Sequence, residues 1–352
     1  MKAVRLLTVA ALVAASLAPA AAASGRKPGS ALVYPIQITD PAGFFTIVSV
    51  TNTNLAPETP TTNGGGTNVH FEYVNVTYPA VLPAPNPLIP ETCAIHNVVT
   101  YLTPADTLAV LTACHNPFFN RGYLVISAEN PDLFDTAWKH DYLIGSEFVA
   151  NPAGGAYYLN AIPFNADPAR ADHAATDADG DKQLDFNTTE YEQVPDTLYA
   201  DSVIAELYPA LTLINLTGGV SARNSVHLDV WNDNEVQTSV DFVMGCWFEQ
   251  NLVALSLWFH PAWLALNTTG DDPTELDLNC NGLEDASTLW FRIDSTRVAT
   301  SGGTTISNDG ALLGAITGGG PPPSAGIFHT LSSGKLLWES VATQDNGVFL
   351  DP

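Results

Sequence analysis

Ser239-Val-Asp-Phe-Val-Met-Gly-Cys-Trp-Phe248 is the stretch on which the reading of the fold turns. Val240, Phe242, Met244, Cys246 and Phe248 fall on one side of an extended chain, and Asp241, Val243, Gly245 and Trp247 on the other. A period of two marks a strand with one face on a core, and it places Cys246 among the core-facing residues.

The same texture extends in both directions. Short runs rich in Val, Ile, Thr, Phe and Tyr predict strands over 225–231, 252–259, 288–293, 311–316 and 326–331 in the second half. In the first half they predict strands over 31–38, 44–52, 69–78, 97–102, 107–112, 122–128, 142–149 and 156–162. Turn-rich segments separate them: Asn63-Gly-Gly-Gly-Thr67 frees the backbone angles, and the prolines between Pro79 and Pro90 cannot donate to a ladder. Val203, Ile204 and Leu207 stand at helical spacing and predict a short helix within 201–211. No helix of ordinary length interrupts the strands, whereas parallel crossovers need a dozen or more residues, usually helical. The expected fold class is therefore all-β, with antiparallel β-sandwich-like architecture.

Lys2 and Arg5 precede an apolar run from Leu6 to Ala18, and Ala21-Ala22-Ala23 supplies a small-residue cleavage signal before Ser24. This reads as a signal peptide over 1–23, and nothing later is apolar for long enough to span a bilayer. The mature chain then keeps ten of the twelve basic residues and all 37 acidic ones. Such a charge excludes nucleic acid as a natural partner and favours cations or basic partners. The mature length slightly favours two domains, 28–164 and 197–350, joined by an acidic linker over 165–196. One large sandwich carrying the same loops is the alternative. Cys93, Cys114, Cys246 and Cys280 are an even set in an exported chain, with three possible pairings. Proximity in sequence favours Cys93 with Cys114 and Cys246 with Cys280, one staple in each half.

Two Asx-rich loops stand out: Asp177-Ala-Asp-Gly-Asp-Lys-Gln-Leu-Asp185 and Asp277-Leu-Asn-Cys-Asn-Gly-Leu-Glu-Asp285. Alternating Asp and Asn can converge oxygens on one hard cation, as calcium requires. In the second loop Asp277, Asn279, Asn281 and Asp285 are the candidate ligands, with Gly282 at the sharp turn; in the first they are Asp177, Asp179, Asp181 and Asp185. The second loop resembles those of thrombospondin type 3 repeats and, more distantly, dockerin and EF-hand-like loops. In both loops a threonine, Thr188 or Thr288, stands where an EF-hand has its closing glutamate, so Glu190 or Asp172 would have to fold over the first loop. Gly180 and Lys182 also depart from the usual order. The resemblance covers a small part of the chain and implies a structural calcium. An ordinary Asx turn is the alternative, but four crowded aspartates make it costly without a counter-ion.

No His-Glu-x-x-His, Gly-x-Ser-x-Gly, P-loop or Gly-x-Gly-x-x-Gly string occurs, and adjacent Asp271-Asp272 cannot face each other across a glycosidic bond. His173, beside Asp172, reads as a surface residue. Trp258, Phe259, His260 and Trp263 keep a carbohydrate-binding reading open, against core packing at a strand end. The expected function is that of a secreted or extracellular, non-enzymatic structural or adhesive calcium-binding protein, with cell-surface attachment and a cell-surface protein or glycan as partner in view. The alternative is an extracellular carbohydrate-binding protein, with or without glycan hydrolase activity.

Overall fold

A computed structural model describes residues 27–39, 45–77, 92–118, 120–133, 135–150, 156–195, 197–216, 223–267, 277, 280, 286–301, 304–318, 333–339, 344–345 and 347–349. The predicted signal peptide, the proline-rich loop and the strand expected over 326–331 lie outside them. No helix among the described residues is long and apolar enough to cross a membrane.

In the first half, β1 (Ala31–Ile38), β2 (Phe45–Asn52), β3 (Thr67–Thr77), β4 (Thr92–Leu102) and β5 (Thr107–Leu111) are followed by β6 (Arg121–Glu129), β7 (Leu143–Ala150), β8 (Ala156–Asn160) and β9 (Ile162–Phe164). They make two antiparallel sheets, ordered β4-β3-β6-β1-β9 and β5-β2-β7-β8. The acidic segment contributes β10 (Leu184–Phe186) and β11 (Val194–Pro195). The second half holds β12 (Leu198–Ile204), β13 (Ala210–Asn215), β14 (Arg223–Asn232), β15 (Gln237–Met244), β16 (Trp247–Asn251) and β17 (Thr288–Ser301). Last come β18 (Thr304–Asp309), β19 (Leu312–Gly318), β20 (Ser333–Leu336), β21 (Trp338–Glu339), β22 (Gln344–Asp345) and β23 (Gly347–Phe349). A six-stranded sheet is ordered β15-β14-β17-β12-β21, with β18 on β17, and a four-stranded one β16-β13-β19-β20. Strands β22 and β23 return to pair with β11 and β10.

The fold is thus all-β and sandwich-like, as expected. Alternation explains each core. Leu32 and Tyr34 of β1, Phe71 and Tyr73 of β3, and Leu124 and Ile126 of β6 face Val48 and Val50 of β2 in the first sandwich. Val226, Leu228 and Val230 of β14 and Phe291 and Ile293 of β17 face Leu211, Leu213 and Ile316 in the second. The opposite faces are buried too. Val33, Val74, Val76 and Val125 meet Ile214, Trp247 and Leu313 in a third cluster, so the four sheets stack as layers. This explains why β1, β13 and β19 are buried along their whole length, without the alternation of a half-solvated strand. Leu184, Phe186, Tyr191 and Val194 of the acidic segment belong to the same third cluster.

The expected disulfides are corrected by this stacking. Cys93 bonds Cys246, at a Cα separation of 6.5 Å, while Cys114 and Cys280 are exposed free thiols. Cys93 follows the face of β3 and β4 that looks toward the second sandwich and packs on the shared cluster. Cys114 sits in a short helix, Thr112–His115, that continues β5 on the other side of the first sandwich.

Other local readings are corrected as well. The stretch 239–248 is two strands, because the chain leaves the six-stranded sheet at Gly245-Cys246 and enters the four-stranded one at Trp247. Within 201–211 there is no α-helix: β12 ends in a single 3-10 turn, Ala205–Leu207. The 252–259 run is a short helix, Leu252–Leu255, and a 3-10 turn, Leu257–Phe259. Asn251 and Ser256 cap them by accepting the N–H of Val253 and Trp258. Four asparagines, Asn75, Asn187, Asn215 and Asn267, begin Asn-x-Thr triplets; Asn75 is fully buried in a network with Gln37 and Asn116, while Asn267 is exposed.

The sandwich junction carries a titratable pair. Glu249 of β16 lies 3.7 Å from Arg121 of β6, and burial raises its pKa from 4.5 to about 7 although Arg121 opposes the shift. Its folded pKa lies above the unfolded one, so the stability it contributes is present below pH 4.5 and is lost as pH rises through about 7. The loss amounts to about 3 kcal/mol. His140 acts oppositely. Burial, aided by the charge of His173 and opposed by Asp172, lowers its pKa to about 4, so stability falls as pH drops from 6.5 through that value. Glu249→Gln should therefore become relatively more stable than the parent as pH rises from 4.5 to 7.5. Urea titrations at both pH values check this, and equal pH dependence in the two proteins would refute it.

Candidate metal centre

The first acidic loop leaves the third cluster after Thr176, turns through Gly180, and returns as β10, whose partner is β23. Gly180 (φ +84°) and Lys182 (φ +63°) both adopt left-handed backbone, which only glycine does freely, and this wraps the chain around its own carboxylates. Asp177 accepts the N–H of Gly180 at 2.6 Å and of Lys182 at 3.2 Å. Asp179 accepts from Asp181 at 3.2 Å and Asp181 from Gln183 at 2.9 Å.

A carboxylate placed to close the loop comes from the next turn. Asn187 accepts the N–H of Thr189 and Glu190, Thr188 takes φ +69°, and the chain reverses so that Glu190 points back under the loop. One carboxylate oxygen each from Asp177, Asp179 and Glu190 lie within 4.8 Å of one another. Calcium–oxygen distances are about 2.3–2.6 Å, so oxygens on opposite sides of one ion are about 5 Å apart and this triangle fits a common centre. The donors are all hard oxygens, which suits a hard divalent cation such as calcium, magnesium or manganese.

Glu190 is 1 % exposed. Desolvation raises its pKa, the N–H groups of Ala178 and Asp185 pull it down, and the charges of Asp185 and Asp177 push it up again. Asp185 is also raised, first by desolvation and then by Asp181, Asp179 and Asp177. A divalent cation would relieve this mutual repulsion.

Of the four expected ligands, the structure brings Asp177 and Asp179 together, and Glu190 completes the triangle. Asp181 and Asp185 stand beside it; Asp185 receives the side-chain amide of Asn187 at 3.1 Å. In the second loop Asn279, Asn281 and Asp285 lie outside the described residues, as do Asp271 and Asp272. Asp277 is half-buried, and Cys280 is exposed with φ +59°.

Behind the loop is a pocket walled by His70, Glu72, Glu129, Asp135, Asp177 and Lys182. His70 and Glu129 pair at 2.8 Å within it, and Lys182 is paired with Asp135. His173 is no part of the triangle: its ring stacks on Trp138 at 4.4 Å. In the aromatic group near the second sandwich, Phe259 is buried, Trp263 packs on the core, and Trp258 donates to the Ser239 carbonyl at 3.0 Å.

Fold and loop together define a class: an all-β protein of stacked antiparallel sandwiches with an oxygen-rich acidic turn at their junction. The chain matches no family model, no curated protein and no solved structure.

Proposed function

We propose that this is an exported, non-enzymatic structural or adhesive protein whose sandwich junction is secured by calcium. The carrying observation is the convergence of Asp177, Asp179 and Glu190 on one centre. The acidic segment that holds them also inserts Leu184, Phe186 and Tyr191 into the shared core. An ion here would fix a junction rather than take part in turnover. Export rests on the leader-like residues 1–23, and the second loop remains a proposed companion site through Asp277, Asn279, Asn281 and Asp285.

A ligand that binds only the folded state stabilises it by about 2.7 kcal/mol at a hundredfold excess over Kd. For a chain of this size that is a rise in Tm of about 5 °C. The expected result is a higher Tm in calcium than in chelator, an increment reduced by Asp179→Ala, whose side chain is exposed and whose loss leaves the core intact. Equal Tm in calcium and chelator, with no calcium retained after gel filtration, would remove the proposal.

A further inference from the structure

The outer face of the six-stranded sheet carries side chains that the metal reading does not use. Trp231 of β14 and Trp290 of β17 are register partners whose rings stack at 4.0 Å with an interplanar angle of 6°. Stacking across the gap between two strands directs the ring normals along the sheet. Trp231 thus covers one face of Trp290, and the other looks toward β12, which bulges between Ala200 and Val203 opposite that position. Trp290 is 41 % exposed, whereas its strand neighbours Leu289 and Phe291 point into the core.

One row along the sheet the chemistry becomes polar. Arg292 is the register partner of both Asp229 and Tyr199. Asp229 is 5 % exposed and is held by Nη2 of Arg292 and, at 2.9 Å, by the side-chain amide of Gln237. The guanidinium is thereby fixed in orientation while its side chain stays 44 % exposed. An upright aromatic face with an immobilised guanidinium one row along the same strand offers both an apolar plane and a fixed hydrogen-bonding group.

We propose that this face binds neutral pyranose units of a glycan, stacking the C–H side of a sugar on the β12-facing side of Trp290 while Arg292, on the same strand, meets its hydroxyls. Commitment to a neutral sugar follows from charge: the chain has 37 acidic against 12 basic residues, a field that repels anionic glycans. The commonplace role of the tryptophans, a cross-strand pair that stiffens the sheet, explains their contact with each other but not the exposed ring beside a fixed guanidinium. The proposal stands independently of calcium.

Affinity electrophoresis of the full chain through gels containing neutral β-glucan, xylan, mannan or galactan tests it. At least one polysaccharide should retard the parent protein. Trp290→Ala should weaken retardation by about tenfold, the scale of one aromatic contact. Trp290→Phe should keep part of the binding and guard against a folding defect, with Tm measured for both variants. Phe118→Ala, at an exposed aromatic of the first half, should leave binding unchanged. Absence of retardation by all four polymers, retardation unaffected by Trp290→Ala, or a concentration-dependent dimer that Trp290→Ala dissociates would each overturn the proposal, the last by assigning the face to a second copy of this chain.

Discussion

Replacing Cys93 and Cys246 together by alanine is expected to lower folding stability by about 5 kcal/mol. The bond joins positions 153 residues apart and so closes a very long loop in the unfolded chain. In the chain-entropy account, a loop of this length restricts the unfolded ensemble by about 5 kcal/mol at room temperature, the upper end of what native disulfides contribute. At about 2 °C per kcal/mol the expected fall in Tm is about 10 °C. Calorimetry of the double variant measures it. Cys114→Ser supplies the contrast, because that thiol is free and exposed and its loss should change Tm very little. A double variant that melts within 2 °C or so of the parent would show that the two halves are held together without the bond. Non-reducing peptide mapping should recover Cys93 with Cys246, and alkylation should label Cys114 and Cys280.

The strands were legible because their signal is local. Alternating apolar residues and β-branched runs locate β1, β2, β5 and β14 to within about two residues of the expected bounds, the usual uncertainty of an element's end. Sheet membership is not local. The alternation of 239–248 runs on through Gly245-Cys246 although the chain changes sheets there, since residues on both sides of the corner still need one face in a core. Val203, Ile204 and Leu207 fit a helix period because their spacing runs across the end of β12 into the 3-10 turn that follows it; Leu207 is in fact exposed. The turns over 252–259 had readable caps in Asn251 and Ser256, which a continuous apolar run obscured.

Layering explains the remaining differences. Proximity in sequence is a sound guide to disulfides inside one small domain, but here two sandwiches present apolar faces to each other, and Cys93 and Cys246 meet across that contact. The candidate metal site was partly legible. Spacing marks Asp177 and Asp179, and of the two residues expected to fold over the loop, Glu190 and Asp172, the reversal at Asn187 and Thr188 brings Glu190 to them. Asp181 keeps the right spacing, yet it stands outside the group whose carboxylate oxygens converge.

Trp247→Ala is expected to be the most damaging single substitution at the junction. Trp247 is fully buried, belongs to the cluster shared by both sandwiches, and follows the disulfide cysteine directly. Its indole N–H donates at 3.0 Å to the Pro35 carbonyl, at the irregularity where β1 slips its register against β6. Truncating a buried tryptophan costs about 3–5 kcal/mol through lost burial and the cavity left behind, and stranding the carbonyl adds about 1 kcal/mol. The location makes the prediction sharper than its size. Because the side chain contacts the shared cluster rather than either private core, its loss should uncouple the sandwiches as well as weaken them. Guanidinium unfolding of the parent should be one transition, and that of Trp247→Ala should broaden or split, with a lower apparent m-value. Phe291→Ala, in the core of the second sandwich alone, should destabilise by a similar amount and keep the parent's linkage between the halves. A single sharp transition for Trp247→Ala, displaced by less than about 2 kcal/mol, would mean that the sandwiches are coupled by the disulfide and the acidic segment and not by their shared apolar face.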